Sequence, residues 1–287
     1  MRHPVDMSVV GLLKWGPESL RFFTEGWGDE EDLHPGRVDD VDVEPVDIRW
    51  LTRSNEGDVV VSHGVFQSPL GTLPHRATQG HVLGICPVDR DPERLVLLMP
   101  AWNEHDPKVR VALARHLAVL GIQSLLLENA YFGTRHPDPD GDHPIRTVGD
   151  FMLMGSSAVL EARALLAAAH RDGRDVGVAG YSMGANTAAL VSATVPFAVA
   201  TTPMAASHSP SPVFLDGVLR HGIAFDALGG EDRADELRSV LGRVSVLDYE
   251  PLPHHESAIV VGARSDAYIP AEATEALAAH WAGSDLR

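Results

Sequence analysis

The stretch Asp175–Val191 (DVGVAGYSMGANTAALV) places a predicted strand, a tight turn and a predicted helix directly after one another. Its first residues form a short apolar run, which is typical of a buried parallel strand. Gly180, Ser182 and Gly184 follow with the spacing G-x-S-x-G, and the glycines allow the sharp turn that such a junction requires. The residues after Gly184 are mostly good helix formers. A serine at such a junction exposes its hydroxyl above the sheet, so we predict that Ser182 is a catalytic nucleophile.

Apolar runs bounded by turn residues predict the other elements. We expect strands at 48–52, 59–66, 82–86, 95–99, 123–127, 176–179, 197–201 and 258–261, and helices at 107–120, 148–170, 185–191, 231–241 and 271–281. Because strands alternate with helices in the second half, this is an α/β pattern and the sheet is predicted to be mostly parallel and doubly wound. The first strands are expected to be partly antiparallel.

The chain is predicted to have two parts. Residues 1–45 are expected to form an N-terminal helical extension, since apolar residues in 8–27 suggest two helical pieces packed on the core. Residues 46–287 are expected to form the main domain. Within it, residues 203–230 have mixed character and are predicted to form a small cap over the site.

The composition narrows the classes of partner. The formal net charge is −17, which disfavours binding to nucleic acid or to an anionic membrane surface. Cys86 is the single cysteine, so no disulfide can form within the chain and a reducing, cytoplasmic location is predicted. Lys14 interrupts the short apolar stretch near the N-terminus, so we expect no signal peptide. We also expect no segment with the apolar length of a membrane span.

The sequence offers candidates for the groups that assist a serine nucleophile. Asp266 follows the last predicted strand, where catalytic groups gather in such sheets, and is the expected acid. The backbone N–H of Met183, directly after the serine, is the expected first donor to an oxyanion. The second donor is expected from the loop after the strand at 95–99, in which Ala101 and Trp102 remain equal candidates.

The catalytic base is the least well predicted group. It should be a histidine that follows Asp266, but His280, the sole histidine there, falls inside a predicted helix. His254 and His255 precede the last predicted strand and are expected to be loop residues. Four further residues are expected to line the pocket: His105, Tyr131, Tyr181 and His208.

The sequence does not indicate a metal site or a cofactor. Asp138, Asp140 and Asp142 have a spacing that superficially resembles a calcium loop, but Pro139 interrupts it and Gly149 stands where glutamate is required. No H-E-x-x-H or paired Cys/His spacing is present. We therefore expect no metal, no cofactor and a solvated acidic loop at 138–142.

Several motifs in the chain resemble those of the α/β-hydrolase domain-containing protein 18 family. The most specific is E-N-x-Y-x-G-x-R at residues 128–135, and further motifs lie at 22–28, 64–69, 150–155, 213–219 and 266–270. The resemblance covers most of the chain. It implies an α/β-hydrolase fold with Ser182 and Asp266 at catalytic positions, and it implies no particular substrate.

The chain departs from the family pattern in three places. The loop after the strand at 95–99 is small and glycine-rich in the family, whereas Trp102 would narrow the pocket here. The family has Gly-His where this chain has Ala185 and Asn186. The family's catalytic histidine follows one more strand, and this chain ends at Arg287 as that strand begins. The resemblance therefore predicts a shortened form of a longer protein that lacks its last strand and histidine loop. The unpaired sheet edge leaves formation of a homo-oligomer open.

Two functions follow as predictions. The first is a serine hydrolase of the esterase or acyl-hydrolase type, which forms an acyl-enzyme on Ser182 with a small-molecule acyl substrate. The second is a non-catalytic protein of the same fold that binds a ligand or partner, which the missing base favours.

Overall fold

The computed structural model describes residues 21–34, 36–137, 145–252 and 254–287. In these residues the strands are β1 (Arg49–Glu56), β2 (Val59–Gln67), β3 (Gln79–Pro87), β4 (Arg94–Met99), β5 (Ile122–Leu127), β6 (Asp175–Tyr181), β7 (Ala200–Met204), β8 (Ile259–Val260) and β9 (Asp285–Leu286). The α-helices are α1 (Lys108–Val119), α2 (Val148–Arg171), α3 (Met183–Thr194), α4 (Pro210–Leu215), α5 (Ala234–Gly242) and α6 (Ala271–His280).

Seven of these strands form one sheet with the order β1-β2-β3-β5-β4-β6-β7. β1, β2, β3 and β5 pair antiparallel, whereas β5, β4, β6 and β7 pair parallel. β8 and β9 form a parallel pair, which two parallel bridges from β7 join to the main sheet. The predicted mostly parallel sheet with antiparallel first strands is confirmed.

Helices cover both faces of this sheet, as a doubly wound fold requires. α1 packs on one face, where Ala114 and Ala118 join a buried cluster with residues of β2, β3, β4 and β5. α2, α3 and α6 pack on the other face around the alternate side chains of β4, including Leu95 and Leu97. The solid apolar sequence of β4 follows from this burial on both sides.

Local sequence signals set the ends of the helices. α2 begins with a capping box, in which the Thr147 hydroxyl accepts from the Asp150 N–H at 3.0 Å and the Asp150 carboxylate accepts from the Thr147 N–H at 3.0 Å. α1 is followed by Gly121, whose φ of 73° is the left-handed stop expected of a C-terminal glycine. The strand predicted at 197–201 is β7, which begins three residues later, at Ala200, where pairing with Gly177 of β6 starts.

The described part of the N-terminal segment contains turns where the end of a helical piece was predicted. Residues 1–20, which hold most of the predicted helices, lie outside the described part of the chain. Residues 21–34 and 36–45 contain turns and a bridge between Phe22 and Ile223, with no helix among them. Gly26 and Gly28 have φ values of 83° and 79°, which a helix does not allow. The segment packs on the core, because Phe23 is fully buried.

α2 is by length and composition able to span a membrane, which the sequence analysis did not anticipate. The prediction that no segment reaches that apolar length is therefore wrong. In the fold, 89% of the apolar window of this helix is buried inside the protein, against the sheet and α3. Its composition is accounted for by this central position.

A buried ion pair explains the specific motif at residues 128–135. Arg135 and Glu161 of α2 are both fully buried and share two hydrogen bonds, at 2.8 and 2.6 Å. The Arg135 guanidinium also donates to the backbone carbonyls of Glu128 at 2.7 Å and Ala77 at 2.6 Å. The motif thus fixes the loop after β5 to the central helix.

Candidate active site

Ser182 lies at the junction of β6 and α3 in a conformation that is rare for a residue with a side chain. Its φ is 55° and its ψ is −118°. Its N–H donates to the Met204 carbonyl of β7 at 2.9 Å, and its carbonyl accepts from the Ala185 N–H at 2.9 Å. Such a backbone conformation costs energy and persists only where the surrounding structure enforces it. Conformations of this kind are frequent at catalytic positions. The strand–turn–helix geometry predicted for this stretch is confirmed.

The glycines of the motif are required by close backbone packing. A Cβ atom on Gly180 would lie 2.2 Å from the Gly184 carbonyl oxygen, well inside van der Waals contact. A Cβ atom on Gly184 would lie 2.7 Å from the carbonyl oxygens of Met99 and Pro100. Gly180 thus allows the turn to close on itself, and Gly184 allows the turn to pack against the loop after β4, which is expected to complete the oxyanion site.

Ser182 lies in the wall of a small apolar cavity. The cavity has a volume of about 60 Å³. A second cavity of about 50 Å³ adjoins it and shares Phe151, Met183, Asn186 and Pro210 as walls. The remaining residues around the first cavity are Trp102, Val213, Phe214, Leu219 and Ile269. The space suits a chain of a few atoms.

Aromatic side chains pack together along the wall of this cavity. The ring of Trp102 lies 5.6 Å from that of Phe22 and 6.0 Å from that of Phe151. Phe214 of α4 lies edge-on to Phe22 and Phe151 at 5.1 and 5.2 Å. α4 belongs to the segment 203–230, so this segment supplies part of the wall of the Ser182 cavity, and its role as a cap stays a prediction.

The N-terminus of α3 presents backbone N–H groups at Ser182. Among the described residues, the Met183 N–H has no hydrogen-bond partner. A helix N-terminus carries a partial positive charge, so this group can stabilise a negative oxygen. Ala101 and Trp102 lie in the loop that Gly184 approaches, and Trp102 also borders the cavity.

Asp266 lies between β8 and α6, at the carboxyl end of its strand. Its Oδ1 accepts from the N–H groups of Tyr268 at 2.8 Å and Ile269 at 3.2 Å. Ile269 borders the Ser182 cavity, so the loop that holds Asp266 forms one side of the site. In the described part of the chain, Oδ2 has no hydrogen-bond partner and can accept one from a base.

The histidine considered as the base, His280, and the two expected to line the pocket, His105 and His208, contact other partners. His105 is exposed, with Nε2 2.8 Å from Asn103 Oδ1. His208 is half-buried with Nδ1 3.3 Å from Ser245 Oγ, and burial lowers the pKa of its imidazole. His280 Nε2 donates to the Tyr249 carbonyl at 2.9 Å. Of the residues that the structure describes, no histidine borders the Ser182 cavity.

The two tyrosines predicted to line the pocket also lie outside its wall. Tyr131 is buried with a φ of 71°, and burial together with the nearby Asp150 raises the pKa of its hydroxyl. Tyr181 ends β6 with 61% of its surface exposed. Sequence reasoning instead gave no role to Asn186, which borders both cavities. The position of Asn186 in the sequence, one helical turn after Ser182, is the signal that could have indicated its place beside the site.

Metal-binding groups are not assembled in the described ranges. No three His, Cys, Asp or Glu side chains there are grouped as a metal ion requires. The aspartates at 138, 140 and 142 lie outside the described residues.

Solved structures of esterases share this fold at low sequence identity. An acetyl xylan esterase from Paenibacillus sp. R4 is 15% identical, with a TM-score of 0.61 over 92% of this chain and 90% of that chain. Acetyl xylan esterase 1 from Thermoanaerobacterium sp. JW/SL YS485 is 13% identical, with a TM-score of 0.61 over 100% of this chain and 91% of that one. A rice cell wall degrading esterase from Xanthomonas oryzae is 12% identical, with a TM-score of 0.53 over 88% and 91%.

These similarities show that the chain has an α/β-hydrolase fold. Residues 20–246 match the family described as alpha/beta hydrolase domain containing 18, which is most of the chain. The match includes the junction at Ser182 and the buried ion pair between Arg135 and Glu161. The chain therefore belongs to the alpha/beta hydrolase domain containing 18 family.

Proposed function

We propose that this chain is a serine hydrolase that cleaves a small ester or related acyl bond through an acyl-enzyme on Ser182. One observation carries the proposal. Ser182 keeps a strained backbone, with φ 55° and ψ −118°, beside an apolar cavity and the unpaired Met183 N–H. A serine that is held in this way serves nucleophilic attack better than it serves packing.

The proposed reaction begins with attack by Ser182 Oγ on the acyl carbonyl carbon. A base takes the hydroxyl proton as the new C–O bond forms, and the carbonyl oxygen becomes an oxyanion. The Met183 N–H and a donor from Ala101 or Trp102 stabilise it, at about 3 kcal/mol per donor. The leaving group departs with the proton, and water then hydrolyses the acyl-enzyme. Asp266 is proposed to orient the base through Oδ2.

The base is the group that the described residues do not supply at the cavity. An acyl-enzyme step without a correctly placed base is slow, because a serine hydroxyl is a weak nucleophile while protonated. This observation favours a second candidate, a non-catalytic protein of the same fold that binds a small acyl ligand in the Ser182 cavity.

The size of the cavity narrows the proposed substrate. Volumes of about 60 and 50 Å³ leave room for an acyl group of a few atoms. Short-chain esters are therefore expected to acylate Ser182 faster than long-chain esters.

Labelling with a fluorophosphonate tests the proposal and separates the two candidates. The wild-type chain, Ser182→Ala and the matched control Ser192→Ala, a buried serine of the same helix, are incubated with the probe at rising imidazole concentration. Imidazole supplies a base that can enter beside Ser182. Turnover of p-nitrophenyl acetate and butanoate is followed in parallel, with Asp266→Asn as a further variant.

We expect labelling and turnover of wild type and Ser192→Ala that rise with imidazole, and neither in Ser182→Ala. Loss of an active-site serine can cost about 10⁶ in rate. Labelling that is equal in wild type and Ser182→Ala would reject Ser182 as the nucleophile. If short-chain acids bind to the wild-type chain but Ser182 is never labelled, the second candidate, a non-catalytic binding protein, would be supported instead.

A further inference from the structure

The side chain of Asn186 has one amide atom in use and one without a partner. Asn186 lies in the first turn of α3, four residues after Ser182, and is 8% exposed. Its Oδ1 accepts a hydrogen bond from the backbone N–H of Ser207 at 3.1 Å. Its Nδ2 is buried and has no hydrogen-bond partner among the described residues.

The bond to Ser207 fixes the orientation of this amide. A backbone N–H donates, so the atom that faces it must be the carbonyl oxygen of the amide. Ser207 is itself fully buried, which leaves no solvent to replace the bond. The NH₂ end of Asn186 is therefore the end available to the cavities, and Asn186 borders both of them.

The walls that the two cavities share, apart from Asn186, are apolar, while Ser182 borders one cavity and Ser156, Thr187 and Tyr249 border the other. The other shared walls of the two cavities are Phe151, Met183 and Pro210, whose side chains accept no strong hydrogen bond. A buried donor without a partner is unfavourable, and a bound molecule that supplies an acceptor removes that penalty. At the boundary between the cavities, the NH₂ group of Asn186 can therefore donate to one oxygen atom of a bound chain whose other atoms contact the apolar walls.

We propose that Asn186 is a specificity-determining residue whose Nδ2 donates a hydrogen bond to an oxygen carried on a short acyl chain. This inference rests on the proposed function, since it takes the chain as the acyl group transferred to Ser182. Asn186 lies in the first turn of the helix that follows Ser182, and both residues border the same cavity of about 60 Å³. Because this cavity is small, the oxygen is placed a few atoms along the chain, as an ether, hydroxyl or keto oxygen at the third or fourth position.

Matched pairs of esters test this selectivity. The p-nitrophenyl esters of methoxyacetate and butanoate have acyl chains of the same length and differ in one atom, oxygen for methylene. The esters of 3-methoxypropanoate and pentanoate form a second pair, with the oxygen one position further. For each pair, the ratio of the two acylation rates in a variant is divided by the ratio in wild type, which cancels the intrinsic reactivity of the esters.

We expect Asn186→Leu to reduce the relative preference for the ether ester about fivefold in at least one pair, the typical worth of one neutral hydrogen bond. Asn186→Asp, assayed at alkaline pH, keeps an acceptor for the Ser207 N–H and should show the same loss. Asn55→Leu, an exposed asparagine in β1, is the matched control and should leave the ratio near one. A ratio near one in both Asn186 variants for both pairs overturns the inference while Ser182 labelling still supports the proposed function.

A binding measurement decides the inference when turnover is absent. The side-chain ¹⁵NH₂ resonances of Asn186, assigned by their loss in Asn186→Asp, are followed during titration with methoxyacetate, 3-methoxypropanoate, butanoate and pentanoate. We expect shifts with an ether acid that exceed those with its methylene counterpart. Equal shifts within both pairs would show that the ether oxygen is not bound by this donor and would refute the inference.

Discussion

Replacing Ser182 by glycine should make the protein more stable, although it removes the candidate nucleophile. At φ 55° and ψ −118°, a residue with a Cβ atom is strained by about 1–3 kcal/mol. Glycine relieves that strain but loses about 0.5–1 kcal/mol more conformational entropy on folding. Relative to Ser182→Ala, which keeps the Cβ atom, Ser182→Gly is therefore expected to gain about 1 kcal/mol.

Urea denaturation of both variants measures this difference as a shift in midpoint at unchanged slope. The corresponding pair Ser192→Gly and Ser192→Ala is the control. Ser192 lies within α3, where glycine should be less stable than alanine by about 1 kcal/mol. The two pairs should thus differ in opposite directions. A Ser182→Gly variant that is no more stable than Ser182→Ala would show that the backbone of this turn is not strained.

Three further changes test the packing around the site. Glu161→Gln should lower the free energy of unfolding by about 3–5 kcal/mol in urea denaturation, because it leaves the Arg135 charge buried and unpaired. Gly180→Ala should abolish labelling of the turn serine and destabilise the fold by about 1–3 kcal/mol or more, because its Cβ would overlap the Gly184 carbonyl oxygen. His208→Gln should flatten the pH dependence of unfolding. Burial lowers the folded-state pKa of His208, so its contribution is present above the ordinary value of 6.5 and is lost as pH falls below it.

Each of these changes has a control and a contradicting result. Asp216→Asn breaks an exposed ion pair and should cost about 0–1 kcal/mol, so an equally small loss in Glu161→Gln would contradict the first prediction. A Cβ atom on Gly155 of α2 meets no atom within 4 Å, so Gly155→Ala should be tolerated; normal labelling in Gly180→Ala would contradict the second. An unchanged slope below pH 6.5 in His208→Gln would contradict the third.

The sequence predicted the fold well wherever local signals and burial agree. The apolar run of β4, the glycine after α1 and the G-x-S-x-G turn each have one favourable interpretation, and each occurs as predicted. The segment 21–34 was harder, because its aromatic residues suit a helix as well as a loop. Only the contact of Phe22 with Ile223, some 200 residues away, shows which one forms.

The candidate site, like the fold, could be predicted only where chain order and local signals determine the structure. Ser182, Met183 and Asp266 could be placed by chain order, because strand ends in a parallel sheet meet at one edge. The orientation of the histidines could not, since His208 and His280 satisfy partners distant in sequence, Ser245 and Tyr249. The role we assign to Asn186 depends on the hydrogen bond that its Oδ1 accepts from the Ser207 N–H, which no sequence pattern predicts.

Identification of the labelled residue tests the central claim most directly. The wild-type chain is treated with a fluorophosphonate in the presence of imidazole, digested and sequenced by tandem mass spectrometry. The account predicts one phosphonylated residue, Ser182, whose labelling is slowed by short-chain acids that occupy the cavity beside it. A phosphonate on any other residue, or on none under conditions in which short-chain esters are hydrolysed, would contradict it.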